Sequence, residues 1–118
     1  MMVSRILNLV AAVSLACVSV LPSPCNAEEE NGEKLVEQAR CYMCHRMQDT
    51  LLGPPFTAIA LRHSENKDVM VEVLALKIVN GGGGNWGMVP MVPNQWVSID
   101  QARIMARWIL KQSDRVRE

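Results

Sequence analysis

The stretch Cys41-Tyr42-Met43-Cys44-His45 determines how the rest of this 118-residue chain must fold. Two residues between the cysteines leave both sulfur atoms on the same side of one turn, within reach of two neighbouring vinyl groups. The histidine that follows can swing its imidazole under a flat ring toward a central iron. This C-x-x-C-H spacing is the signature of covalent haem c attachment. We therefore expect one haem bound through two thioethers, with His45 as an iron ligand.

Two other uses of a C-x-x-C pair fit this chain less well. A zinc site needs a second pair of ligands, and a redox dithiol occurs in a βαβ context. The other cysteines are Cys17 and Cys25, and the other histidine is His63. Both extra cysteines lie in a segment that we expect to be removed, and no stretch alternates like a strand. Haem attachment is therefore the interpretation that we keep.

The N-terminal segment has the organisation of a secretory signal peptide. Arg5 gives it a positive start, residues 6–21 are mostly apolar, and two prolines then interrupt the apolar stretch. Ala27 suits the position before a cleavage site, and three glutamates follow it. We expect residues 1–27 to be a removed signal and residues 28–118 to be a single mature domain.

Other fates of this segment stay open at this point. An uncleaved anchor is one, since about 16 apolar residues approach the ~20 that a membrane span needs. A lipoprotein is another, although the residues before Cys17 and Cys25 fit a lipobox poorly. After removal of the signal we expect no membrane association. Export together with haem c favours a bacterial periplasm, and a thylakoid lumen would meet the same conditions.

Charge and size narrow the classes of function. The chain has 12 basic and 12 acidic residues, and loss of Arg5 with the signal leaves the mature form one unit negative. Such a balance lacks the excess of basic residues that is typical of nucleic-acid-binding domains. A mature domain of about 90 residues has a small hydrophobic core and often needs an additional stabilising group such as a disulfide or a metal. A covalently bound haem would supply that stabilisation. Acids gather near its start and bases near its end, an arrangement that complements helix macrodipoles.

Local patterns predict an all-α fold. We expect a first helix over 31–41 capped by Asn31, a second from residue 66 or 67 to Asn80-Gly81, and a third beginning at Ser98. Ser98 and Gln101 form a capping box. A short helical piece is expected over 56–62. The expected buried sides are Leu35, Val36 and Ala39 in the first helix, Val69, Val73, Leu76 and Val79 in the second, and Ile99, Ala102, Met105, Ala106 and Ile109 in the third.

A second iron ligand is sought among the methionines of the mature chain. Met88 and Met91 lie in a glycine-rich loop, residues 81–94, that could pass close to a flat ring. We choose Met91 because Pro90 and Pro93 restrict the backbone on both sides of it, with Met88 as the alternative. A flexible linker is the other interpretation of the glycines, but large apolar side chains are costly in a solvated linker and suit a segment that covers a haem face. These side chains are Trp86, Val89, Val92 and Trp96.

The motifs in combination resemble those of small class I cytochromes c of the bacterial c551 type. They are CYMCH, then GPPF at 53–56, NG at 80–81, WG at 86–87, VPMVPN at 89–94, and a final helix with Trp108. The resemblance covers essentially the whole mature chain. It implies a small helical fold wrapped around one covalently attached haem.

The resemblance also implies roles for individual residues. Pro54 would accept a hydrogen bond from the free ring nitrogen of the proximal histidine. Lys77 would lie near a haem propionate, Trp86 would donate its indole N–H to one, and Asn94 would contact the region of the distal methionine. The resemblance further implies His45 and Met91 as axial ligands, and it places Leu35 against Trp108 where the family often has an aromatic pair.

Two filled axial positions favour one-electron exchange over substrate binding, so we expect an electron carrier without catalytic activity. It would act as a monomer that docks transiently with redox proteins at the haem edge. A haem sensor in which Met91 is displaced is the main alternative, motivated by the four-glycine run. A role as a subunit of a larger redox enzyme leaves the chemistry unchanged. A peroxidase would need a distal base, and the segment around His63 reads more simply as a polar turn.

Overall fold

The computed structural model describes residues 24–117, which form four α-helices around a shared core. These are α1 (Pro24–Gln38), α2 (Phe56–Arg62), α3 (Lys67–Asn80) and α4 (Ile99–Arg115), with a short 3-10 turn at Cys41–Met43. Within this part of the chain there is no strand, and a single antiparallel bridge pairs Gly82 with Met91. The predicted all-α class is confirmed.

Helix α4 lies at the centre and packs against α1, α2 and α3. The Ser98 hydroxyl accepts a hydrogen bond from the Gln101 N–H at 3.2 Å, and the Gln101 side chain accepts one from the Ser98 N–H at 3.0 Å. The predicted capping box is therefore confirmed. Four of the five residues expected on the inner side of this helix are buried, namely Ala102, Met105, Ala106 and Ile109, and Ile99 is partly buried against them.

The predicted limits of the first helix were wrong. Helix α1 begins at Pro24, not at Asn31, and it ends at Gln38. Proline suits a first helical turn because its missing N–H is not needed there. The helix stops early because Arg40 takes a left-handed backbone conformation, with φ at 57°. Its predicted inner side is confirmed: Val36 and Ala39 are buried and Leu35 is partly buried.

Helix α3 begins and ends where the sequence predicted, but most of its predicted inner face was wrong. Val69 is 70% exposed, and Val73 and Leu76 are also exposed. The buried residues are Ala75 and Ile78, on the opposite side of the helix. Both sides of α3 are apolar, so packing against α4 decides which one is covered.

Helices α1 and α4 approach closely at a glycine. A side-chain carbon built on Gly32 would lie 2.5 Å from Cβ of Trp108, so this position has room for hydrogen alone. Trp108 is buried, and its aromatic neighbour is Phe56 of α2, with ring centroids 5.5 Å apart. Leu35, which we expected to meet Trp108, is partly buried against the same core.

Ion pairs also join α1 to α4. Arg107 pairs with Glu28, and Arg115 pairs with Glu29 at 2.8 Å. We had attributed the separation of acids and bases along the chain to helix macrodipoles, whereas these four residues neutralise one another across the helix interface. Each pair is exposed to solvent and contributes little stability by itself.

The predicted signal segment lies outside the described residues up to Ser23. Glu28, the predicted first residue of the mature domain, lies within α1. No helix in the range 24–117 has the length and apolar character needed to cross a membrane.

Candidate haem site

The two cysteines of the attachment motif lie on one tight turn. Arg40 reverses the chain direction after α1 through its left-handed conformation. The N–H groups of Cys44 and His45 then both donate to the carbonyl of Cys41, at 3.1 and 2.9 Å. Cys41 and Cys44 are free thiols and half-buried. The turn therefore presents two sulfur atoms and one imidazole from five consecutive residues.

The imidazole of His45 is held by the segment that follows it. Its Nδ1 lies 2.7 Å from the carbonyl oxygen of Pro54. Because a carbonyl only accepts, the neutral imidazole carries its proton on Nδ1, and Nε2 then keeps its lone pair. Gly53 lies directly against the ring, where an added side-chain carbon would come within 2.6 Å of Cε1. The Gly53-Pro54 pair thus fixes both the orientation and the tautomer of His45.

Phe56 supports the same imidazole from the core side. The two rings are nearly parallel, with centroids 5.4 Å apart and planes at 19°. Phe56 also makes edge contacts with Tyr42, at 5.6 Å, and with Trp108, at 5.5 Å. An aromatic cluster therefore links the attachment turn to the centre of α4.

The two methionines of the glycine-rich loop differ in their exposure. Met88 is 98% exposed, whereas Met91 is partly buried and packs against the core. The N–H and C=O groups of Met91 and Gly82 exchange two hydrogen bonds of 2.9 Å. Gly81 has a φ of 69°, and a side-chain carbon there would overlap the carbonyl oxygen of Met91. Glycine is therefore required where the loop closes on itself.

Asn94 ties the end of this loop to α3. Its side chain is buried, and Nδ2 donates to the carbonyl of Ile78 at 3.0 Å and to that of Val92 at 3.4 Å. Its backbone N–H approaches the carbonyls of Ile78 and Val79, at 3.2 and 3.1 Å. Asn94 thus satisfies carbonyls at the end of α3 that lack partners within the helix.

Lys77 and Trp86 are both associated with the glycine-rich loop, Lys77 from α3 and Trp86 as one of its own residues. The Lys77 ammonium lies 2.9 Å from where a side-chain carbon of Gly82 would be. Trp86 is exposed, and the guanidinium of Arg62 lies over its ring at 4.7 Å from the centroid. The other aromatic and aliphatic residues that we expected to cover a ring, Val89, Val92 and Trp96, are exposed.

Comparison with known proteins agrees with this geometry. A family model described as cytochrome c matches residues 29–113. The chain belongs to the cytochrome c family. Cytochrome c-551 of Azotobacter vinelandii is 38% identical over 81 residues, which are 69% of this cytochrome and 96% of the relative. Cytochrome c-552 of Hydrogenobacter thermophilus is 40% identical over 79 residues, covering 67% of this cytochrome and 79% of the relative.

A solved structure gives the same result for the fold. Wild-type cytochrome c552 of Nitrosomonas europaea superimposes with a TM-score of 0.65 at 34% identity. The match covers 69% of this cytochrome and 99% of that chain. The predicted relationship to small class I cytochromes of the c551 type is therefore confirmed, and the protein is a monohaem c-type cytochrome of electron transfer.

The cytochrome carries one haem c, attached covalently through Cys41 and Cys44. The residues present fit that group, because two half-buried thiols share one turn with an imidazole whose Nε2 has a free lone pair. Burial raises the pKa of the Cys41 thiol to about 11, so an unattached Cys41 is a neutral thiol near pH 7. In the range 24–117, no three His, Cys, Asp or Glu side chains are grouped to hold a metal ion.

Two residues of this site were missed by sequence reasoning. Phe56 was expected in the GPPF motif and at the start of a short helical piece, but its stacking on His45 was not predicted. Arg62 was expected at the end of that piece, beside a polar turn, and its contact with Trp86 was not predicted. The single phenylalanine of the chain, directly after two prolines, was the available signal for Phe56. No local signal indicated Arg62, because its partners lie 23 and 24 residues further along the chain.

His63 lies at the surface, in the turn after α2. It follows the last residue of α2 and is half-buried, and partial burial together with neighbouring Arg62 lowers its pKa.

Proposed function

We propose that this cytochrome is an electron carrier whose haem iron is ligated by His45 on one side and by Met91 on the other. The observation that carries the proposal is the 2.7 Å hydrogen bond between His45 Nδ1 and the carbonyl of Pro54. That bond leaves the lone pair of Nε2 free, and an imidazole in this tautomer can bind iron through Nε2. Haem supplies the iron that gains and loses one electron.

The surroundings of Met91 support its choice as the second ligand. Met91 is partly buried and its backbone is pinned to Gly82, so little entropy is lost when its thioether is held. Met88 lies three residues away and is almost fully exposed. A thioether ligand in an apolar pocket favours ferrous iron and raises the reduction potential.

Visible spectra test the ligand assignment. The holo-protein would be produced in a host that matures c-type cytochromes and examined in its ferric state for the far-red band of methionine sulfur on iron. The wild type and the control Met88→Ala should have this band, and Met91→Ala should lack it. Loss of the band in Met88→Ala, with retention in Met91→Ala, would reverse the assignment.

Lys77, Trp86 and Asn94 are proposed to serve the same cofactor. Lys77 lies next to Gly82 of the glycine-rich loop, and Trp86 belongs to that loop; both carry the N–H donors that propionates require. Asn94 donates to the carbonyl next to Met91. Substitutions at Lys77 and Trp86 should change the pH dependence of the reduction potential. Substitution at the exposed neighbour Asn85 should leave it unchanged.

We also propose a mature periplasmic monomer that begins at Glu28 and docks transiently with redox proteins. The attachment turn has exposed apolar side chains, Tyr42 and Met43, with Leu51 and Leu52 in the following loop. A small apolar surface of this kind suits weak, short-lived complexes. N-terminal sequencing of the exported protein tests the cleavage site, and sedimentation tests the oligomeric state.

A haem sensor is the second candidate, and one observation favours it. Residues 82–90 are exposed, and a side-chain carbon at Gly84 or Gly87 would contact nothing within 4 Å. A loop with so few neighbours could let Met91 leave the iron. Rapid binding of carbon monoxide by the ferrous protein at neutral pH would favour this function, and slow binding would favour the carrier.

A further inference from the structure

The middle of the glycine-rich loop has few attachments to the rest of the molecule. The Gly82 bridge holds the Met91 end, and Asn94 holds the segment that follows. Within residues 24–117, the side-chain hydrogen bond to the stretch between them comes from Arg62. The position of this stretch therefore depends strongly on one residue outside the loop.

Arg62 makes two neighbouring contacts with the loop. Its Nη1 donates to the carbonyl of Asn85 at 3.2 Å. Its guanidinium carbon lies 4.7 Å from the ring centroid of Trp86, the geometry of a cation–π contact. The Arg62 side chain thus contacts the backbone of Asn85 and the ring of Trp86, which are adjacent in the loop.

Arg62 extends from helix α2, which is packed into the core. Arg62 is the last residue of α2, whose first residue, Phe56, is buried and stacked on His45. Ile59 and Ala60 of the same helix are also buried. A contact from this helix therefore connects the glycine-rich loop to the element that supports the proximal histidine.

We propose that Arg62 is a positioning residue that holds the glycine-rich loop in place and thereby keeps the Met91 thioether on the iron. This inference rests on the proposed ligation by Met91. Loss of the methionine from iron requires the loop to move, and Arg62 must release Asn85 and Trp86 when the tip of the loop swings out. Removing Arg62 leaves the Gly82 bridge as the restraint next to Met91, so the population with Met91 displaced increases.

The size of the effect follows from the two interactions that Arg62 makes with the loop. An exposed cation–π contact shifts such an equilibrium by a few-fold, and a surface hydrogen bond to a carbonyl adds to it. We therefore expect the population of the open loop to rise about three- to tenfold when Arg62 is truncated. An external ligand that replaces methionine gains apparent affinity by the same factor, because it binds the open form alone.

Imidazole binding to the ferric holo-protein measures this population at fixed pH. The variants are Arg62→Ala, Arg62→Met, which keeps side-chain length without charge, and Arg62→Lys, which keeps the cation. The control is Arg103→Ala, which removes another guanidinium that joins two helices, by pairing with Glu72 and Asp100 away from the loop. Loss of the far-red methionine band reports binding.

The expected result is about a three- to tenfold gain in apparent imidazole affinity for Arg62→Ala and Arg62→Met. Arg62→Lys should fall between these variants and the wild type, and Arg103→Ala should match the wild type. Equal affinities for Arg62→Ala and the wild type would overturn the proposal, as would an equal gain in Arg103→Ala. A wild type without the methionine band, or a Met91→Ala variant that keeps it, would instead reject the ligand assignment and this inference with it.

Discussion

Phe56 lies against the imidazole of His45, with ring centroids 5.4 Å apart and planes 19° from parallel. The imidazole also meets Gly53, whose backbone comes so close that a side-chain carbon would clash with the ring. A buried aromatic ring and a stretch of main chain therefore both restrict the histidine. Its orientation is built into the polypeptide, and the hydrogen bond to Pro54 adds the tautomer.

Phe56→Leu should loosen this arrangement. The change keeps an apolar side chain but removes the contacts of its ring with His45, Tyr42 and Trp108. We expect a loss of about 1–3 kcal/mol in the free energy of unfolding of the holo-protein, measured in guanidinium chloride. The ferric EPR g-values should also shift, because they depend on the orientation of the axial ligands. Ile109→Val, a buried change costing about 1 kcal/mol, is the control and should leave the g-values unchanged.

Gly32→Ala should destabilise the protein, although alanine is normally the better helix former by roughly 1 kcal/mol. The added carbon would lie 2.5 Å from Cβ of Trp108 and 3.0 Å from its Cγ, so α1 must move away from α4. Overpacking of this kind costs about 1–3 kcal/mol. Guanidinium unfolding measures it, and Asn31→Ala, at the exposed neighbouring position, should be neutral or slightly stabilising. An equal gain in both variants would mean that the two helices are not in close contact.

Local signals account for what the sequence predicted well. Helix α4 was predicted because Ser98 and Gln101 cap it and because its apolar residues recur along one side only. The attachment turn was predicted because Cys41, Cys44 and His45 are adjacent in sequence. In each case the deciding residues are neighbours along the chain, so no knowledge of the tertiary structure was needed.

The predictions were wrong where the local sequence fitted two structures equally well. In α3, Val69, Val73 and Leu76 recur at spacings of four and three, and Val71, Ala75 and Ile78 recur at the same spacings on the other side. Periodicity alone cannot choose between two apolar faces, and contact with α4 made the choice. The start of α1 and the stacking on His45 likewise depend on elements distant in sequence.

Asn94→Asp should test the connection between α3 and the glycine-rich loop. The change keeps the shape but replaces the Nδ2 donor by a carboxylate oxygen, which faces the carbonyls of Ile78 and Val92. Losing a buried hydrogen bond in this way costs about 1–3 kcal/mol. We expect lower stability in guanidinium and a weaker far-red band. Gln95→Glu makes the same chemical change at the exposed next residue and should alter neither.

Arg40→Gly should stabilise the protein. Arg40 is the single described non-glycine residue with positive φ, at 57°, and the left-handed conformation costs an ordinary residue roughly 1–2 kcal/mol. Glycine removes that cost but loses part of the gain to the greater freedom of the unfolded chain. The expected net gain is about 0.5–1 kcal/mol in thermal or guanidinium unfolding. Arg40→Ala retains Cβ and should give no gain, so an increase in both variants would point to the arginine side chain instead.

The pair between Glu72 and Arg103 predicts a defined contribution to acid sensitivity. The hydrogen bond from Arg103 holds the pKa of the Glu72 carboxyl below its ordinary value of 4.5. Because the folded state favours the charged form, this stabilisation is present above pH 4.5 and is lost as the pH falls through the lower folded pKa. Glu72→Gln should therefore lower the unfolding free energy most near neutral pH, and its difference from the wild type should shrink in acid.

The matching measurement uses guanidinium unfolding across that pH range in two backgrounds. Asp114 also has a lowered pKa, through its hydrogen bond from Lys67, so the acid sensitivity of the wild type alone cannot isolate Glu72. In an Arg103→Ala background, Glu72 has lost the guanidinium that stabilises its charge. There the pH dependence of the Glu72→Gln effect should shrink strongly, because only the weaker attraction of Arg107 still favours the carboxylate. A pH dependence of undiminished size without Arg103 would mean that another group, and not this pair, holds the carboxyl in its charged form.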